Sequence, residues 1–166
     1  MYTIISGTNR KGSNTRKVAE QYRDILLAKG VEATLISLEG LDLNRKTKEF
    51  EQLEREVLIP SEKFIFVLPE YNGSFPGSLK VMIDLSDIRK AWWGKKALLT
   101  GVSTGRAGNL RGMEHLTGSL NYLRVVVHPN KLPISSVDKL LNGEGYISDK
   151  STLEAINIQL DEFIPF

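Results

Sequence analysis

Three short segments hold most of the side chains suited to binding or chemistry. The first is Ser6-Gly7-Thr8-Asn9-Arg10-Lys11-Gly12-Ser13-Asn14-Thr15, which combines hydroxyls, amides, two cations and two glycines. It follows a strand-like run and leads into helical spacing, so it opens a helix. A helix N-terminus offers unpaired N–H groups and a partial positive charge, which suits a phosphate. Thr8, Ser13 and Thr15 can donate hydroxyl hydrogen bonds, and Arg10 can pair bidentately with phosphate oxygens. The competing reading is an ordinary strand-to-helix turn, capped by Ser13 or Asn14. The second segment is Pro69-Glu70-Tyr71-Asn72-Gly73-Ser74-Phe75-Pro76-Gly77. Tyr71 offers a flat stacking face, Asn72 can bond a heterocycle edge, and the glycines let backbone approach a ligand. A rigid surface turn would have the same composition. The third segment runs from Gly101 to Asn109 and carries three glycines among Ser103, Thr104 and Gly105 to Gly108. It suits backbone N–H groups near a planar or anionic group, or a plain flexible turn.

Several loop chemistries are excluded by single residues. Gly7 and Gly12 have Walker A spacing, but Ser13-Asn14 stands where Lys-Ser/Thr is required. The dinucleotide fingerprint fails because Thr8-Asn9 follows Gly7. The chain has no cysteine, which removes thiol phosphatase chemistry, disulfides and thiolate metal sites. His115 and His128 have no second histidine or carboxylate at metal-ligand spacing, so each reads as a packing or surface residue. Lys11, Arg16 and Lys17 could attract a nicotinamide cofactor's phosphate, but cations on a helix surface are common.

The elements that must position these segments alternate. Strands are expected at Tyr2–Ser6, Glu32–Leu38, Phe64–Leu68, Ala97–Val102 and Arg124–Val127. Helices are expected at Asn14–Lys29, around Phe50 to Val57, from Pro76 past Ile83, from Leu110 to Leu120, and over Ser151–Phe163. The mixed-charge stretch Arg45 to Glu56 reads as a solvated helix face. Phe64 to Leu68 is uninterrupted apolar sequence, as in a parallel strand covered on both faces. This pattern implies an α/β fold: a flavodoxin-like, doubly wound, five-stranded parallel sheet of order 2-1-3-4-5 in a three-layer sandwich. The three segments follow the first, third and fourth strands, which are neighbours in that order, so they converge on one crevice. The 166 residues fit one domain over 1–166. A net charge of +2 gives no reason to expect nucleic acid. No apolar run approaches the roughly 20 residues of a membrane span. The uncharged start does not read as a signal peptide, and a cytoplasmic location is expected.

Three motifs in this order resemble the NADPH-dependent FMN reductases, a flavodoxin-like family that includes quinone, azo-dye and chromate reductases. They are Ser-Gly-Thr-Asn-Arg-x-x-Ser-Asn-Thr, Pro-Glu-Tyr-Asn-Gly-Ser-x-Pro-Gly-x-Leu-Lys and Gly-Val-Ser-x-Gly-Arg-x-Gly, and they span about residues 2 to 127. The resemblance implies FMN as cofactor. Ser6, Thr8, Arg10, Ser13, Asn14 and Thr15 would hold or flank its phosphate. Pro69, Glu70, Tyr71, Asn72 and Gly73 would line its ribityl chain and ring, and Ser103, Thr104 and Gly105 its pyrimidine edge. Thr104, Ala107 and Asn109 stand where the family often has glycine, which implies a narrower space above the ring. NADPH or NADH would donate electrons to a quinone, an azo compound or free flavin. Donor and acceptor would share one slot in turn, giving ping-pong kinetics with no side chain as acid or base. A homodimer is implied, or a tetramer, with the helix after the second segment at the interface. Met82, Trp92 and Trp93 are candidates there, although one tryptophan suits the core equally. An electron-carrier flavodoxin is the alternative, but such carriers are strongly acidic. A non-enzymatic module that kept only the fold is the third reading.

Overall fold

A computed structural model describes residues 1–166. The chain runs β1 (Tyr2–Ser6), α1 (Asn14–Ala28), β2 (Ala33–Ser37), α2 (Lys48–Leu53), β3 (Lys63–Pro69), α3 (Gly77–Leu85), β4 (Lys96–Val102), α4 (Leu110–Tyr122), β5 (Val126–Val127), β6 (Leu132–Ile134), α5 (Val137–Leu140) and α6 (Lys150–Phe163). π-Helical turns at Glu54–Leu58 and Ile88–Trp92 follow α2 and α3. The sheet is parallel, in the order β2-β1-β3-β4-β5.

β3 shows why the sheet needs helices on both faces. Phe64 through Leu68 are all fully buried. Strand residues alternate in direction. Phe64, Phe66 and Leu68 therefore enter one core with Phe50, Leu79 and Trp92, while Ile65 and Val67 enter the other with Val18, Tyr22 and Phe163.

The fifth strand position differs from the expectation. Arg124 is left-handed (φ 58°) and precedes β5, which pairs only with Lys96 and Ala97. β6 then pairs with Thr100–Val102, so the sheet has six strands, two of them sharing the flank of β4. Pro129 cannot donate to a ladder, and Pro133 is tolerated because β6 lies at the sheet edge. Gln159 bridges the interruption: its Nε2 donates to Leu99 O (3.0 Å) and Asn130 O (2.9 Å). Its Oε1 accepts from Tyr22 Oη at 2.7 Å and Thr100 Oγ1 at 3.1 Å. Burial pushes the Tyr22 phenol well above its ordinary pKa, so it stays a neutral donor.

Two interface candidates are corrected. Met82 and Trp92 are fully buried in the core beneath α3, where the Trp92 indole packs tilted against Phe64 and donates to Ser86 Oγ at 2.7 Å. Large apolar rings gain most from such burial. Trp93 alone stays partly exposed. In the stretch 45–56 the charged side chains are exposed, as expected of a solvated face, with Glu54 the exception. Glu54 is buried and accepts from Lys46 Nζ and from Asp87 N; the Asp87 carboxylate in turn caps the Ile88–Trp92 turn, accepting from Arg89 N and Lys90 N.

Candidate functional site

β1, β3 and β4 end side by side, and the segments after them enclose a crevice of about 350 Å³. Arg10, Ser13, Asn14, Thr15, Pro69, Glu70, Tyr71, Ser103, Thr104 and Gly105 all lie on its wall. Three further wall residues lie outside the cofactor ligands the sequence implies: Lys11, Val102 and Val137. Val137 belongs to α5, a four-residue helix with too short a period to detect in sequence.

The first segment shows why it suits an anion. Ser13 caps α1, its Oγ accepting from Arg16 N at 3.2 Å. The backbone N–H groups of Lys11, Gly12, Ser13, Asn14 and Thr15 find no backbone acceptor in the chain. Capping and anion binding therefore coexist here. The hydroxyl serves one N–H, and five remain for a ligand. Arg10 and Lys11 form no salt bridge, whereas Arg16 pairs with Glu20 and Glu39, both at 3.0 Å. Those carboxylates raise the Arg16 pKa and occupy its guanidinium, so it is not free for a phosphate.

Four expected site residues lie off the wall. Ser6 is fully buried at the end of β1, and its hydroxyl has no partner. Thr8 is buried, and its Oγ1 lies 2.6 Å from Tyr71 Oη, so it tethers the first segment to the second. Asn72 and Gly73 form the tip of a tight turn, with φ of 51° and 75°. The ring of Tyr71 carries the Arg10 guanidinium at 4.1 Å from its centroid.

The third segment is braced from inside. Ser103 Oγ donates to Gly105 O (3.0 Å) and accepts from Gly108 N (3.0 Å). The N–H groups of Thr104 through Ala107 have no backbone acceptor. Asn109 does not narrow the crevice as expected. It is fully buried and left-handed (φ 62°), and it caps α4 through Gly112 N. Its Nδ2 donates to Leu68 O and Pro69 O, fastening the third segment to the end of β3. His115 lies near the second segment, with Nδ1 2.9 Å from Ser74 Oγ. His128 is buried against Phe163 and Phe166, away from the crevice.

This donor set fits FMN. Five free N–H groups and Arg10 are donors suited to a phosphate, and the free N–H groups of residues 104–107 are donors suited to the carbonyl oxygens of a heterocycle. The fold and crevice define a flavodoxin-like α/β protein with its ligand site beyond the carboxyl ends of the strands. The NADPH-dependent FMN reductase family pattern matches residues 2–139, and the chain belongs to that family. It is an oxidoreductase with FMN as cofactor and a reduced nicotinamide as electron donor. It is 31% identical to the NAD(P)H-dependent FMN reductase of Pseudomonas aeruginosa, over 94% of this chain and 89% of that one. It is 29% identical to a quinone reductase of Pseudomonas putida, over 89% of this chain and 84% of the other. Among solved structures, the flavoenzyme NAD(P)H:(acceptor) oxidoreductase FerB from Paracoccus denitrificans superposes with a TM-score of 0.82 at 21% identity, covering 99% of this chain and 94% of that one.

Proposed function

We propose that this chain acts as one flavodoxin-like unit over residues 1–166 and passes electrons from NADPH or NADH to a small acceptor, a quinone, an azo compound or free flavin, in its cytoplasm. The observation that carries the reading is the row of free N–H groups from Lys11 to Thr15 beside unpaired Arg10, on the same wall as Tyr71 and Ser103–Gly105. In this reading, those N–H groups, the Thr15 hydroxyl and Arg10 bind the FMN phosphate. Ser13 holds the segment open by capping the helix. Pro69, Glu70 and Tyr71 flank the ribityl chain and one side of the ring, with Asn72 and Gly73 at the tip above it. Ser103, Thr104 and Gly105 present backbone to the pyrimidine edge, and Ser6 and Thr8 support the first segment from below.

Bound FMN supplies the redox chemistry, relaying two electrons from nicotinamide to acceptor. The chain binds, orients and leaves one open face, so donor and acceptor use it in turn. The nicotinamide donor supplies two electrons and one hydrogen, and the remaining proton that a reduced quinone needs comes from solvent at the open crevice. Support for the acceptor class comes from the P. putida relative, named a quinone reductase. A homodimer is part of the proposal, with a tetramer distinguished by mass. Its support is apolar surface left uncovered at Val81, Ile88, Leu110 and Tyr122, on and beside α3 and α4. No helix is long and apolar enough to cross a membrane.

The test is anaerobic stopped-flow mixing of FMN-loaded protein with NADPH. The 450-nm-region band should bleach before any acceptor is added and return on adding a quinone. A flavin that stays oxidised removes the reductase reading and leaves the fold.

A further inference from the structure

Tyr71-Asn72-Gly73-Ser74 closes on itself. Tyr71 N donates to Ser74 O at 2.9 Å, and Ser74 N donates to Tyr71 O at 3.1 Å. With both central residues left-handed, this is the two-residue hairpin that Asn-Gly favours. So short a hairpin does not fix its own angle to the rest of the chain. Helix α4 grips it from one side. His115 Nδ1 is 2.9 Å from Ser74 Oγ. The Arg111 side chain lies over Gly73, its Nη1 3.3 Å from where a Cβ would stand. Residues 111 and 115 are one helical turn apart and share a face. On the other side, Tyr71 Oη meets Thr8 Oγ1 at 2.6 Å, and its ring lies under the Arg10 guanidinium at 4.1 Å. The path from α4 through the hairpin and Tyr71 to Arg10 is continuous.

We infer that His115 and Arg111 are positioning residues for the cofactor phosphate: they set the hairpin so that Tyr71 aims Arg10 into the crevice. Neither residue lines the crevice, so each acts through the hairpin. The inference rests on the reading that Arg10 meets the FMN phosphate. His115 is exposed, so its truncation leaves the core intact.

FMN and riboflavin differ only in the phosphate, and titrating both into the full chain separates aiming from general support. For His115→Ala, FMN affinity should fall roughly 3- to 10-fold, the worth of one ordinary hydrogen bond, with riboflavin affinity unchanged. Ser74→Ala should match it. His115→Asn, whose amide can take the place of Nδ1, should restore FMN affinity. In an Arg10→Ala background the His115→Ala effect should vanish, because the two act in one path. Equal weakening of FMN and riboflavin overturns the inference, as does a His115→Ala effect that persists without Arg10. Wild-type protein that binds FMN no tighter than riboflavin overturns the phosphate reading itself, and that result is read before any variant is compared.

Discussion

Arg10→Ala tests the electrostatics of the crevice most sharply. Arg10 has no carboxylate partner within 4 Å, and its guanidinium lies over the Tyr71 ring. Moving it toward a phosphate therefore breaks no ion pair. A hydrogen bond to a charged group contributes about 1.5–3 kcal/mol, so truncation should weaken FMN binding about 10- to 150-fold. Losing the contact with Tyr71 should cost only about 0.5–1 kcal/mol of folding stability, because the guanidinium is exposed. Arg10→Lys keeps the charge but loses the planar fork, so its affinity should fall between the two. Quenching of flavin fluorescence on binding gives the constants, and a urea titration gives the stability. Raising the salt should narrow the wild-type to Arg10→Ala gap, since the pair lies near solvent. If Arg10→Ala binds FMN as tightly as wild type, the guanidinium does not meet the phosphate and the assignment of the first segment is wrong.

Other sites give equally direct outcomes. A Cβ at Gly101 would collide with the Gly108 carbonyl and press on Asn109 and Met113, so Gly101→Ala should cost roughly 3 kcal/mol or more, read as a lowered urea midpoint. An unchanged midpoint would mean that the β4 end and the third segment are not packed as described. Gln159→Leu removes all four hydrogen bonds of a fully buried side chain and should cost about 3–5 kcal/mol, with hydrogen exchange faster in β6 first. Loss of less than about 1 kcal/mol would show that Gln159 is not the bridge. Asp149 caps α6, and hydrogen bonds from Ser151 and Thr152 hold its carboxyl below the ordinary value of 3.8. Its stabilisation is thus present above that pH and lost as pH falls through the lowered value. Asp149→Ala should lower the urea midpoint at pH 7, and the gap to wild type should close below pH 4. A gap of the same size at pH 3 would contradict the carboxylate's role.

Much of the fold is legible because its signals are local. The run Phe64 to Leu68 is apolar at every position, which only a strand covered on both faces tolerates. The 3.6-residue period of Val18, Tyr22 and Leu26 shows α1 equally plainly. β6 is hidden because three residues with a central proline do not look like a strand; its place comes from pairing with β4 and from Gln159, far away in sequence. The π-turn at 88–92 is held by burial of Trp92 and by the Asp87 cap, which Glu54 anchors from the turn at 54–58, and none of these contacts leaves a periodic trace. Within the site, residue types identify the phosphate segment, but not direction. Thr8 turns inward to Tyr71, and Asn109 turns away from the crevice into the sheet. Asn72-Gly73 carries the hairpin signature in plain sight, yet its flanks are too short to alternate. His115 and Arg111 look like surface residues until α4 is laid beside that turn.

The central claim is that FMN's phosphate is held by the backbone between Lys11 and Thr15. Amide-resolved NMR of the 15N-labelled chain, titrated with FMN, reads those groups one by one. The largest shifts should fall at Lys11–Thr15, with a second set at Thr104–Ala107, and riboflavin should produce no comparable change at Lys11–Thr15. If FMN leaves the Lys11–Thr15 amides unmoved while shifting others, the cofactor lies elsewhere and the account is contradicted.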